Sequence, residues 1–294
     1  MLFRSSLTSA QVAALSSQQV VSLTPLQIAA LTTSQFQAMT TAQLSSLTTS
    51  QISNLETTDL QALAANNVQI QSLTSNQLAA LSTQQVSTLF ALSSLGLTSK
   101  QVAVITTAAL SALTTDQINH LSSAQIQGLA TNQVAALTAT QLNNLSTDLL
   151  QALTTTSIAA IPTATLAAIS TAQISNFNST QIDALTSTQI AALTSDQIGN
   201  LTSSQITGLG GAGVALLSST QISGLGSDQI GGLGTDLIKS LTTTAIKNLT
   251  TQQIGYLNSA QVAALTTAQV KSLTSEQLNS LDRKSTRLNS SHSQ

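Results

Sequence analysis

Large apolar residues stand at every eighth position of the chain. They run from Leu7 through Leu15, Leu23, Leu31, Met39, Leu47 and Leu55 to Leu63, and after one ten-residue unit they resume at Leu73 and continue to Leu281. Five residues after each comes a second apolar position, usually Ile or Val, giving the consensus L-T-[ST]-x-Q-[IV]-x-x. Residues 193–208, LTSDQIGNLTSSQITG, show two such units in succession. The chain holds seven octads, one decad at 63–72 and twenty-six further octads, and the sixth place is apolar in every unit but one, where Ser94 falls in the irregular LFALSSLG of 89–96. A short fixed period predicts a solenoid or array rather than a globular core.

The octad fits neither a long helix nor a strand. At about 100° per residue, eight residues advance about 800°, so the Leu stripe would drift about 80° per unit around a continuous helix. In a strand, positions five apart point to opposite faces. Thr and Val do favour strands locally, which keeps a β-solenoid as the alternative. A short helix restarted in every octad satisfies more of the pattern. Thr or Ser three residues before Gln is a capping box, as in Thr194 with Gln197 and Thr202 with Gln205, and the flanking Leu and Ile sit where a hydrophobic staple belongs. Pro25 falls at a first helical position, where a missing N–H costs nothing. Asp116, Asp148, Asp196, Asp228, Asp236 and Glu276 occupy fourth places, in the first helical turn, while Lys239, Lys247 and Lys271 occupy seventh places near the helix end. That is the arrangement the helix macrodipole favours; Lys100 and Asp183 depart from it.

The predicted fold class is therefore all-α, a solenoid of very short capped helices, one per octad, over a single repeat region of residues 1–281. Helices of five or six residues are unstable alone, so stacking must hold them. Right-angled corners would close a coil in four octads, with three as the alternative that the sequence leaves open, and stack the coils into a rod. The units at 63–72 and 89–96 are expected as bulges or joints. The glycine-rich stretch 208–234, with nine of the 13 glycines, is expected to be the loosest, because glycine weakens helices.

Composition changes the picture in one respect. Charged residues are 6% of the chain against a usual value of about 25%. Residues 282–292, DRKSTRLNSSH, break the octad and resemble a translated short-read sequencing adapter, so 282–294 is set apart as a non-native tail. Without it 5 basic and 9 acidic residues remain, a net charge of −4, which offers no electrostatic footprint for nucleic acid. No run approaches the roughly 18 apolar residues of a membrane span. The start, MLFRSSLTSAQ, lacks the apolar core of a signal peptide, and zero Cys removes disulfide and thiol chemistry.

Several stretches imitate functional sites. Gly208-Leu-Gly210-Gly211-Ala-Gly213 matches G-x-G-x-x-G with Asp228 following, but the octad frame runs through it at Leu209 and Leu217, where a dinucleotide site needs a strand and then a long helix. Its glycines are read as cap replacements. His120 and Tyr256 occupy eighth places with no second ligand in reach, so both are read as solvated corners. Asn144, Asn178, Asn200 and Asn248 head glycosylation-type triplets, three of which the repeat generates whenever Asn fills an eighth place. Ser is abundant, yet no His and acid set accompanies it for nucleophilic work. No catalytic, cofactor-binding or metal residues are assigned, and the chain is read as not an enzyme.

The units LTSAQVAALSSQQVVS, LTSTQIAALTSDQIGN and LNSAQVAALTTAQVKS resemble the L-T-T-x-Q-[IV]-x-x arrays of large bacterial proteins described as haemagglutinin-like, haem-utilisation or adhesion proteins. The resemblance covers residues 7–281. It implies a fragment of a larger surface or secreted bacterial protein, acting as a rigid spacer or adhesive rod. Partners would be host or neighbouring-cell glycans or proteins. The alternative function is an ice- or glycan-binding face built from regularly spaced Thr.

Overall fold

A computed structural model describes residues 7–91 and 96–281. These contain 32 short helices, with residues 275–281 helical as well, and no strand among the described residues. The helices begin where the capping boxes place them. In the helix Ser195–Asn200, the Gln197 N–H donates to Thr194 Oγ1 at 3.1 Å while the Thr194 N–H donates to Gln197 Oε1 at 2.9 Å. This reciprocal pair satisfies two of the N–H groups that a helix start leaves without partners. Most helices end in a two-residue extended corner, as at Leu193 (φ −61°, ψ 138°) and Thr194 (φ −74°, ψ 160°). The chain is thus a sequence of one-and-a-half-turn helices joined by sharp bends. The fold is an all-α solenoid, and the β-solenoid alternative is not adopted.

The chain divides into two compact units, Met1–Leu153 and Thr154–Gln294. Within the first, Ser17–Ser22 packs on Thr41–Ser46, and Ser123–Gln127 on Thr147–Ala152. Within the second, Ser195–Asn200 packs on Ser219–Ser223, and Thr243–Asn248 on Thr267–Ser272. Every one of these partners lies three octads along. Of the two expected coil sizes, four octads or three, the helix pairing follows the three-octad spacing. Hydrogen bonds between successive coils link residues 25 apart, as from Ser203 Oγ to the Asp228 carbonyl at 2.7 Å, and also 28 and 31 apart, as described below. One coil therefore takes more than three octads and fewer than four, so each corner turns through more than a right angle. The reason is interior volume. Each octad supplies only two large apolar side chains, and protein interiors close until no void remains. A square coil would leave an axial gap that one Leu and one Ile per side cannot fill.

The core is the first and sixth places. Leu193, Ile198, Leu201 and Ile206 are buried, as are most of their counterparts along both units, with Phe36 and Phe177 standing in for Ile and Leu. At the decad, the helix Thr57–Ala64 runs on through Leu63, where other octads break. Asn66 then caps Asn67–Gln71, its Oδ1 accepting from the Val68 N–H at 3.1 Å. The helix Thr83–Phe90 likewise continues through Leu89. The two irregular units thus begin by lengthening a helix to eight residues. Residues 92–95, with Ser94, and the tail 282–294 lie outside the described residues.

Candidate functional site

The most regular chemical feature is a ladder of buried glutamines at the fifth place. A capping role explains only the Oε1 atom of each. The amide nitrogen reaches the previous coil. Gln197 Nε2 donates to the Leu166 carbonyl at 2.9 Å and to the Ile169 carbonyl at 2.7 Å. Gln133 does the same to Val102 (2.9 Å) and Ile105 (2.7 Å), and Gln51 to Val20 (3.0 Å) and Leu23 (2.7 Å). In these three the acceptors are the sixth-place carbonyl four octads back and the first-place carbonyl three octads back, while Gln117 and Gln205 reach the seventh-place carbonyls of Ser87 and Ser175. These flank a corner, where a short helix leaves its last C=O groups without intrahelical partners. One primary amide therefore closes a helix start in its own octad and a helix end in the coil below. Gln197 and Gln133 are each 1% exposed, so an unmade bond here would carry the full desolvation cost of a buried polar group.

Where the fifth place departs from Gln, the rung changes. Asp59 Oδ1 accepts from the Thr33 hydroxyl at 3.3 Å, and the Ser157 N–H donates to Thr154 Oγ1 at 3.2 Å. Ala109, Leu149, Leu237 and Ala245 bring no amide at all. Missing rungs fall in consecutive octads at Leu149 and Ser157 and again at Leu237 and Ala245, and the helices continue through both places.

The remaining sequence candidates are dispersed over the repeat. Gly208 ends the helix Ser203–Gly208, and Gly210–Ala215 is itself helical, so a helix precedes the glycine motif where a dinucleotide site requires a strand. Asp228 lies in the first turn of Ser227–Gly232. His120 caps a neighbour: its Nδ1 lies 3.1 Å from the Phe90 carbonyl, so the half-buried ring closes the end of the eight-residue helix below, which a purely solvated corner would not do. Tyr256 ends the helix Thr251–Tyr256. Asn178 is an N-cap, its Oδ1 accepting from the Gln181 N–H at 2.9 Å, while Asn144 and Asn200 donate to carbonyls one turn back, at 2.8 Å each, and Asn248 Nδ2 donates to Ser219 Oγ at 2.6 Å. Most acids lie in first helical turns and Lys239, Lys247 and Lys271 near helix ends, as the dipole favours, while Asp183 ends its helix and Lys100 stands second in its own. Lys239 and Asp236 pair at 3.2 Å in an exposed setting, where such pairs contribute little. No cluster of three or more His, Cys, Asp or Glu able to hold a metal ion exists among the described residues. No helix among them is long and apolar enough to cross a membrane.

Two glycines of the glycine-rich stretch sit where backbone approaches closely. A Cβ on Gly224 would stand 2.6 Å from the Ser195 carbonyl oxygen, and one on Gly208 2.9 Å from that of Ser179. Eighth-place glycines mark where successive coils come closest. Gly210 has φ +65°, the left-handed region that suits glycine, and it turns the chain after Leu209, which is helical instead of extended. Two substitutions with opposite outcomes follow. Gly224→Ala lowers the urea midpoint by the equivalent of about 1 kcal/mol or more, because backbone must yield. Gly231→Ala, inside a helix with its nearest neighbour at 3.9 Å, raises stability by about 0.5–1 kcal/mol. Equal shifts for both would contradict the close stacking.

The geometry defines a tandem-repeat protein, an all-α solenoid whose coils are joined by side-chain amides. The family described as the ALTTAQ repeat matches residues 26–57, 158–195, 211–243 and 236–267, so segments of both units are similar to that repeat. No curated protein matches the chain.

Proposed function

We propose that the chain is a non-catalytic structural segment of a larger bacterial surface or secreted protein, serving as a spacer or as an adhesive that meets host or neighbouring-cell glycans or proteins. The glutamine ladder carries this reading. It commits the regular polar groups of the repeat to the fold itself: Thr hydroxyls to helix starts, Gln amides to helix starts and corners. What faces solvent is a weakly charged surface, mostly Ser, Thr, Asn and Ala, at the third, fourth, seventh and eighth places. Such a surface suits display and weak, repeated contact, where avidity replaces a tight pocket. The resemblance to bacterial surface arrays supports the location. The ice-binding alternative is weakened by the second-place hydroxyls, which are occupied as helix caps.

The location is tested with a membrane-impermeant amine reagent on intact producing cells. Lys100, Lys239, Lys247 and Lys271 are exposed and are expected to be labelled without lysis. Labelling that appears only after lysis would overturn the surface assignment. A glycan array probed with the multimerised chain separates the two roles, since an adhesive gives signal and a spacer gives none.

A further inference from the structure

Within the unit Thr154–Gln294 successive coils are bonded to one another unevenly. Gln229 Nε2 donates to the Leu201 carbonyl at 2.6 Å, and Gln253 Nε2 to the Ile222 and Leu225 carbonyls at 2.9 Å each. The two octads between these glutamines, 233–248, carry Leu237 and Ala245 at the fifth place and send no amide to the coil below. At the usual offsets of 31 and 28 residues, those amides would have met the Ile206 and Leu209 carbonyls and then those of Val214 and Leu217. Ile206 and Val214 instead take local bonds from the Leu209 and Leu217 N–H groups, at 3.2 Å each. The helix Thr235–Ser240 also starts at Gly234 without a side-chain cap. Apolar stacking continues across this seam, with Gly210–Ala215 on Thr235–Ser240 and Ser219–Ser223 on Thr243–Asn248. An exposed bond from Asn248 Nδ2 to Ser219 Oγ, at 2.6 Å, crosses it as well.

We propose that the repeat is an extensible spacer: under tension along the chain this unit gives up length coil by coil, beginning at octads 233–248, and recoils when the tension falls. The role rests on the spacer reading above. Coils between two points of load carry that load in series, so the least-bonded seam opens first. Seams closed by buried amides hold longer, because breaking one strands a desolvated donor and its acceptors. An exposed bond such as that of Asn248 exchanges with water and resists less. What opens then melts, since a helix of six residues has no stability without its neighbours. Length is therefore released in coils and not by the sliding of intact helices. A coil of three to four octads frees about 80–115 Å of chain at full extension. With no cysteine in the chain, no covalent bridge limits that extension. The bonds between coils join residues only 25 to 31 apart, so the loops that must close on the return are short and refolding is fast.

Optical-trap pulling of the full chain tests this, with handles attached at Ala191→Cys and Ala263→Cys. Both alanines are exposed, and the parent chain has no cysteine to compete for the handles. The 72 residues from one to the other are expected to lengthen in two or three separate releases and to recoil on relaxation within the same cycle. The pair Leu237→Gln with Ala245→Gln supplies the missing amides and is expected to raise the force of the first release. Should that pair lose the parent's far-ultraviolet circular dichroism spectrum, the opposite change serves. Gln229→Met with Gln253→Met widens the rung-free seam and is expected to lower the same force. A single release of the whole span, about 240–260 Å, overturns the proposal. So does a first-release force that the folded variant leaves unmoved, or length that does not return on relaxation. The reading is taken on purified protein, so it stands or falls apart from the labelling that tests where the chain is displayed.

Discussion

Replacing Gln197 with Glu is expected to lower the stability of the unit Thr154–Gln294 by about 3–5 kcal/mol at neutral pH, the scale of a buried charge without a partner. The two side chains have nearly the same shape, so the loss isolates the ladder. One carboxylate oxygen can still accept from the Thr194 N–H, but the other faces the Leu166 and Ile169 carbonyls, which are acceptors themselves. Burial and these facing oxygens would raise the folded-state pKa of the introduced carboxyl above the usual value of about 4.3. A raised folded pKa means that the variant's stability is fully present below about pH 4 and is lost as pH rises through the folded value. Urea midpoints measured from pH 3 to 8 against the parent chain check both sign and size. Gln197→Met, which removes the same donor without adding charge, is expected to lose about 1–3 kcal/mol for the groups left unpaired, with no added pH dependence. Identical pH profiles for the two variants would show that the amide does not face those carbonyls.

Phe177→Ala is expected to cost about 3–5 kcal/mol, the usual consequence of emptying a buried aromatic position. Phe177 stands at a first place that other octads fill with Leu, and it is 2% exposed. The coil already accepts Leu at equivalent corners, so Phe177→Leu is expected to cost less than about 1.5 kcal/mol. The contrast tests the tightness of the coil interior. A roomy square interior would accept Ala and Leu almost alike, while a closed one separates them. Thermal melts of the two variants beside the parent chain decide the matter.

Much of this fold is legible in single octads. The Thr-x-x-Gln pair and the flanking Leu and Ile act within eight residues, so helix starts, buried places and the polarity of the charges all follow from the sequence. The candidate site was half legible. The pattern marks Gln as a capping partner, and its Oε1 behaves so. Its Nε2 partner lies 28 to 31 residues away, a separation that depends on how many octads make a coil. A repeat with one period carries no mark of that number, since each octad looks the same to every other. A primary amide at a place that is otherwise core was the available signal, because a buried Gln must satisfy its donors as well as its acceptor.

The same division explains the glycines and His120. Their types suggest caps and solvated corners when each octad is considered alone. Contact with the coil below makes Gly224 a point of closest approach and brings His120 to the Phe90 carbonyl. Sequence alone determined that this chain breaks into short capped helices with two buried places apiece, because capping and amphipathicity are local. Only the tertiary structure decided how many helices close a coil and where each amide donates, because those depend on filling a shared interior to its packing limit.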